Sequence, residues 1–412
     1  MTETAIETVE EFRLRARTWL AANVARVDPE APPPSSGDDD AEWLHARELQ
    51  KRLYAGGFAG ICFPKEYGGL GLSHEYQEAF TEEADGYEMP LLLNIPTFSI
   101  CAPTILDMGS EKQKKEHLGA AIRGDEVLVQ FLSEPSGGSD LAGVLTRADR
   151  DGDEWVINGA KIWSTSAYAG DYALCLARTD WNAPKHRGLT MFLMKIDSPG
   201  VDLRRIKQVN GSTEFCEEFF DNVVLPADAV VGEVNDGWTV ASRQLFHERT
   251  AVGGGSQYTS GRGVRDTRKA SDDFVALARE TGQADDVHVR ELVGQAYAHR
   301  TVQEQLIKRV AAAVASGELP APAMSLIRLF HAETDWLNTD IGLELAGSYA
   351  VAGPVGRGPL ELGTGYLSRQ AASLGGGSSE MSRNLISERL LQMPREYAAD
   401  RDVPFSEVKH SG

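Results

Sequence analysis

The chain reads as an α+β multidomain protein: a helical N-terminal domain, a middle antiparallel β domain and a helical bundle towards the C-terminus. Three observations carry this reading. Apolar residues recur at mixed three- and four-residue spacing until about residue 124. Between Leu128 and Gly232 the period becomes two, with Gly, Asp and Pro turns between the segments. From Gly237 to about Met393 long, Ala-rich helical patterns return. At 412 residues the chain is too long for one core and divides as 1–126, 127–236, 237–396 and a polar, loose tail over 397–412.

Residues 1–27 predict an amphipathic helix on Val9, Phe12, Leu14, Ala16, Trp19 and Leu20. Pro29–Asp40, reading PEAPPPSSGDDD, cannot be helical and is expected to be an exposed loop. A second helix spans Ala41–Gly56, with Asp38 to Asp40 available as caps. Gly60–Ser73 is an irregular passage, and helices recur from Glu75 to about Gly124. The segments EWVING, YALCLAR, LTMFLMKI and EEFFDNVVL predict strands. Leu292–Ser316 and Ala323–Leu345 predict long helices.

A formal charge of −20 argues against nucleic acid as a partner, and a CoA ester would need a local basic patch against that background. No apolar run approaches the roughly 18–20 residues of a membrane span, so no membrane insertion is expected. The acidic start MTETAIETVEEF lacks an apolar signal core, which predicts a cytoplasmic protein. Cys62, Cys101, Cys175 and Cys216 are far apart, without CxxC or histidines at ligand spacing, so they predict reduced thiols and no metal site.

Two short stretches are the most informative: FLSEPSGGSD (Phe131–Asp140) and NGAKIWSTSA (Asn158–Ala167). The first breaks from a strand into a Ser/Gly/Pro loop that offers backbone N–H groups and a hydroxyl. The second sets Trp163 beside Ser164 and Thr165. A flat ring next to small hydroxyls suits a planar, anionic cofactor. Each alone is weak, since Gly/Ser loops are more often plain turns and a sheet tryptophan is more often core.

Together, in this order and spacing, the two stretches resemble the flavin-contacting segments of the acyl-CoA dehydrogenase family. Lys207–Trp238 and Gly375–Glu396 (GGGSSEMSRNLISERLLQMPRE) extend the resemblance over almost the whole chain, least in residues 1–50 and 255–290. It implies a C-terminal four-helix bundle, FAD as cofactor, and oxidation of an acyl-CoA thioester to the trans-2-enoyl-CoA. Phe131, Ser133, Gly138, Ser139, Trp163, Thr165, Ser378 and Glu380 are its cofactor-contacting positions. Ser139 also falls near the CoA arm.

In one branch of the family the base glutamate lies at the position of Gly376, so here that side chain is missing. In another branch the glutamate precedes an arginine on the first bundle helix, where this chain has LFHERTAVGG with Glu248 before Arg249. Ala241, Gln244, Leu245, Glu248 and Val252 share one helical face, which surrounds a lone carboxyl with small or apolar neighbours. The bland alternative is a solvated His247-Glu248-Arg249 cluster. Arg249 has three open roles: orienting Glu248, orienting substrate, or a structural ion pair. The resemblance also implies that the Gly376 backbone N–H and a flavin ribityl hydroxyl polarise the thioester carbonyl.

The glycine runs Gly253–Gly255 and Gly375–Gly377 suggest a broad acyl pocket or, equally, a kink or close packing. The pattern departs from the family in SGRGVRDTRKASDDF, which lacks the Arg-x-x-Phe-Gly segment that reaches a neighbour's flavin pyrophosphate. Leu343 likewise replaces the Gln that precedes a Gly-Gly pair. Arg262, Arg265, Arg268 and Lys269 are substitutes or a solvated face. A homotetramer with rearranged contacts and a heterotetramer with a related subunit both fit. The resemblance implies an electron-transferring flavoprotein as acceptor. Competing functions are a flavin-dependent oxidase or monooxygenase of the same fold, and a companion subunit without catalysis.

Overall fold

The computed structural model describes residues 7–27, 39–252, 256–259, 261, 274–352 and 359–408. The expectations for residues 29–38, for Gly253–Gly255 and for Arg262, Arg265, Arg268 and Lys269 lie outside these. Helix α1 (Val9–Asn23) opens on a capping box in which Thr8 and Glu11 satisfy each other's backbone N–H groups. It buries Phe12, Ala16 and Leu20, an i, i+4, i+8 stripe, against α3 (His74–Glu83), while Leu14 is exposed. Asp39 caps α2 (Asp40–Ala55), whose Arg47 reaches Asp171 at 2.6 Å and so fastens the helical part to the β domain.

The expectation that no apolar run approaches spanning length needs correction. Leu91–Met108 is 18 residues long and apolar enough by composition, yet 61% of it is buried within the protein. Its last turns form α4 (Ala102–Met108), which packs in the core, and the short helices α5 (Glu111–Gln113) and α6 (Gly119–Arg123) follow. Among the described residues no other helix meets that test.

The middle domain is one sheet of eight strands, ordered β6 (Val201–Arg205), β7 (Phe215–Pro226), β3 (Glu154–Thr165), β2 (Arg147–Asp151), β4 (Tyr172–Arg178), β5 (Leu189–Lys195) and β8 (Val230–Val231), with β1 (Leu128–Phe131) on β4. Long β3 (Glu154–Thr165) and β7 (Phe215–Pro226) alternate buried and exposed residues, as a one-faced antiparallel pair should. Strands β4 (Tyr172–Arg178) and β5 (Leu189–Lys195) are buried almost throughout. The sheet is mostly antiparallel, but β1 (Leu128–Phe131) runs parallel to β4, and so does β2 (Arg147–Asp151) at its single contact.

The chain then returns to helix with α7 (Gly237–Val252), α8 (Phe274–Glu280), α9 (Val287–Ala315) and α10 (Met324–Ala346). A Cβ on Gly237 would lie 2.6 Å from the Thr190 backbone, so glycine lets α7 start directly against β5. Val240 and Ala241 of α7 belong to the main core, whereas α8 to α10 build two smaller cores of their own. Helix α7 therefore sits at the junction of the main core and the C-terminal helices, touching both α4 and α10. The tail is not loose throughout: Phe405 N–H bonds Ala183 C=O at 3.0 Å and Ser406 N–H bonds Trp181 C=O at 2.8 Å. Phe405 is buried under the Arg178 guanidinium, an anchor that the polar composition of the tail conceals.

Candidate active site

The two β-domain stretches meet through a hydrogen bond from Ile162 N–H to Ser133 C=O at 2.9 Å. Behind it Lys161, fully buried, places Nζ 2.8 Å from Glu134 Oε1 and 3.0 Å from Leu132 C=O. The Glu134 carboxylate also accepts from Leu145 N–H at 2.6 Å and Thr146 N–H at 2.9 Å. Burial alone would raise the Glu134 pKa, but Lys161 and these donors hold it below the usual carboxylate range. Its ion pair fixes the register of the Ser133 loop relative to Trp163.

Trp163 sits at a register shift of β3 with φ 63°, a left-handed conformation that costs a non-glycine residue about 1–2 kcal/mol. Its ring is 54% exposed and meets Phe215 edge-on at 5.9 Å. A strained backbone that exposes a tryptophan is an outlier expected at a ligand site. Among the described residues the Ser133 and Thr165 hydroxyls have no protein partner, and a Cβ on Gly138 would come within 3.2 Å of Ser133 Oγ. Phe131 is buried in β1, and Ser139 is exposed on the loop beyond. Unpaired hydroxyls beside a bare ring fit the edge of a planar heterocycle.

Behind Trp163, Ser164 Oγ donates to Glu218 Oε2 at 2.9 Å, and the other Glu218 oxygen is buried without a partner. Burial pushes the Glu218 pKa up to about 7.

Glu248 lies three turns into α7. It is half-buried, and burial raises its pKa. Arg249, the Gln130 side chain, Arg328 and the Gly376 backbone N–H oppose that rise. The solvated-cluster alternative fails at His247, which is buried with Nε2 2.7 Å from Asp107 Oδ2. Arg243 meets the same carboxylate at 2.5 Å, so Asp107 locks α7 to α4 and fixes the face that carries Glu248. Of that face, Ala241 and Gln244 are buried and Leu245 half-buried, while nothing is described of the Val252 side chain. Burial lowers the pKa of Arg249, and Glu248 opposes this.

Gly376 and Gly377 have φ of 70° and 91°, so the backbone itself asks for glycine there. A Cβ on Gly377 would meet nothing within 4 Å, so the run leaves open space as well. Ser378 caps the following helix, Ser379–Leu385, by accepting from Met381 N–H at 3.2 Å. Glu380 is exposed there, near Arg383 at 4.0 Å.

Sequence reasoning missed Gln130, Gln244's role, Lys161 with Glu134, Glu218 and Arg328. Arg328 of α10 is buried, donates to Gly375 C=O and carries two further nitrogens without partners. Burial lowers its pKa and Glu248 opposes that. Its distance in sequence from every motif left no local signal. Gln130 stands one residue before the first motif, and its helix-facing partner is over a hundred residues away.

Comparison with known proteins places this geometry. Family models for the acyl-CoA dehydrogenase N-terminal, middle and C-terminal domains match residues 7–125, 130–223 and 235–391. Acyl-CoA dehydrogenase IpdE1 of Mycobacterium tuberculosis is 34% identical over 396 residues, 95% of this chain and 99% of its own length. The solved Tcur3481-Tcur3483 steroid ACAD is 29% identical with a TM-score of 0.75, covering 95% of this chain and 99% of that one. The ChsE4-ChsE5 complex from Mycobacterium tuberculosis is 25% identical with a TM-score of 0.69, covering 96% and 100%. With all three domain models matched in order around this site, the chain belongs to the acyl-CoA dehydrogenase family, oxidoreductases that generally bind FAD.

Proposed function

We propose that this chain dehydrogenates an acyl-CoA thioester to the trans-2-enoyl-CoA, with FAD as cofactor and Glu248 removing the α-proton. The observation that carries the proposal is the half-buried Glu248 carboxyl on α7, its pKa raised by burial, in a chain whose alternative base position in the family holds only glycine, Gly376. Trp163, Ser133 and Thr165, with Phe131, Gly138 and Ser139, would hold the flavin from the β domain, and Ser378 and Glu380 from the helical side. When bound, FAD supplies the acceptor for the hydride that leaves the β-carbon.

The chain's own groups account for the proton. A thioester α-proton is weakly acidic, so the base must be strong and the carbonyl polarised at the same moment. In the substrate-free protein the Gly376 N–H is among the groups that hold the Glu248 pKa down. If that donor turns to the thioester carbonyl, Glu248 loses a stabilising partner and becomes more basic as enolate character develops. Arg249 and Arg328 keep local positive charge beside the developing anion in a protein of net charge −20.

We also propose a bulky alicyclic acyl group, of the steroid class for which the similar Tcur3481-Tcur3483 steroid ACAD is named. Two similar structures are assemblies of two named proteins, which supports a heteromer with a related subunit. Exposed Tyr349, Val351, Leu374, Leu391 and Met393 give the C-terminal region an apolar surface for such a partner. An electron-transferring flavoprotein is the proposed acceptor.

Anaerobic titration with straight-chain and ring-bearing acyl-CoAs tests this reading. Bleaching of bound flavin by the ring-bearing thioester supports it. A preference for short linear chains ends the bulky-substrate proposal, and turnover that needs oxygen favours an oxidase. Full flavin occupancy and activity of the chain purified alone would refute the need for a partner subunit.

A further inference from the structure

We propose that Arg328 is a positioning residue that aims the Gly376 N–H by holding the opposite side of the same peptide group. The proposal rests on the reading of that N–H as the donor to the thioester carbonyl. Arg328 stands near the start of α10, 5% exposed, and its Nη2 donates to Gly375 C=O. Gly375 C=O and Gly376 N–H belong to one planar trans peptide unit, so they point in opposite directions. Whatever fixes the carbonyl fixes the direction of the N–H.

Without that hold, little keeps the unit in place. Glycines stand on both sides of it, and Gly376 and Gly377 have φ of 70° and 91°, where no side chain restricts the turn. Gly375 N–H bonds Ala371 C=O at 3.1 Å, which ties the preceding peptide, and Ser378 caps the helix that follows. Between these anchors the Gly376 N–H has no backbone acceptor among the described residues. The Arg328 bond is therefore what sets the orientation of this peptide. A charged donor on the carbonyl also polarises the amide, which makes its N–H a better donor on the far side.

The energetics point the same way. Nε and Nη1 of Arg328 are buried without partners, so only Nη2 has a protein acceptor. A purely structural side chain would serve better here if it were apolar, because a buried cation so poorly paired costs stability. Arg328 and Glu248 each move the other's pKa, which puts the guanidinium at the reacting end of the site. A single hydrogen bond needs no planar fork, so a lysine should serve in place of this arginine.

The test uses the flavin-loaded enzyme in Arg328→Met and Arg328→Lys, and the same changes in a Glu248→Gln background, where a bound thioester keeps its α-proton. The probes are octanoyl-CoA and cyclohexanecarbonyl-CoA, isotope-labelled at the thioester carbonyl. Infrared difference spectra read the carbonyl stretch, which falls below its solution value when the oxygen accepts a hydrogen bond. It should lie low in E248Q, move most of the way back in R328M/E248Q, and stay low in R328K/E248Q. With Glu248 present, kcat of R328M should fall roughly ten- to a hundredfold, short of the full loss of an oxyanion donor, and R328K should recover most of it. Should R328M not fold, Arg328→Gln, which also drops the charge, stands in with the band moving the same way. An unmoved band in R328M/E248Q overturns the positioning role. So does a loss confined to a displaced acid limb of the pH profile, which is what a bare charge beside Glu248 would produce. A band at the solution value in E248Q itself would instead overturn the reading of the Gly376 N–H on which the proposal rests.

Discussion

Replacing Glu134 with Gln tests how the cofactor loops are held. The wild-type carboxylate is 5% exposed and receives Lys161 Nζ at 2.8 Å and two backbone N–H groups at 2.6 and 2.9 Å. Gln keeps one acceptor oxygen but turns an NH2 towards Lys161 or towards Leu145 N–H, and leaves the Lys161 charge buried. Breaking a buried pair from one side costs about 3–5 kcal/mol, and the retained oxygen argues for the lower end, about 3 kcal/mol. Chemical denaturation of the apoprotein reads the loss, and flavin content after purification reads the displaced Ser133 loop. The double variant E134Q/K161M keeps an acceptor for the backbone N–H groups and leaves no ion unpaired, so it should be less destabilised than E134Q. A loss within about 0.5 kcal/mol for E134Q, or a double variant worse than the single, would refute this reasoning.

Other predictions address the remaining unusual groups. Glu218 has its pKa raised to about 7 from an ordinary 4.5, so its stabilising contribution is complete below the ordinary value and is lost as pH rises through about 7. Glu218→Gln should therefore stabilise the protein at pH 8 by on the order of 2–3 kcal/mol and do little at pH 5. Equal denaturation shifts at the two pH values would contradict this. Phe405→Ala removes a ring whose centroid is 3.4 Å from the Arg178 guanidinium carbon. It should cost up to about 3 kcal/mol and make the chain after Tyr397 sensitive to protease, unlike the wild type. Gly376→Ala puts a side chain at φ 70° and should cost about 1–2 kcal/mol. Because it also displaces the N–H donor, its kcat should fall further than its flavin content.

Much of the fold was legible because local signals and global architecture agree. Period-two segments became β3, β4, β5 and β7, and the Asp39 cap and Phe12/Ala16/Leu20 stripe became α1 and α2. Leu91–Met108 shows the limit, since a core helix and a membrane span have the same composition. Parallel pairing of β1 on β4 was invisible because pairing direction depends on partners remote in sequence. At the candidate site, short motifs pointed to Glu248 and Trp163. None pointed to the residues that tune them. Lys161 reads as a solvated strand lysine until Glu134 is folded against it, and Gln130 has meaning only once α7 crosses β1.

The most direct measurement is anaerobic reduction of bound flavin by acyl-CoA in Glu248→Gln beside wild type. A neutral amide keeps the shape and cannot take the α-proton. The flavin should be retained, and its reduction should slow by roughly 10²–10⁴-fold, the range a general base supplies. Reduction of E248Q at the wild-type rate would mean that some other group removes the proton, and the assignment of this helix carboxyl as the base would be wrong.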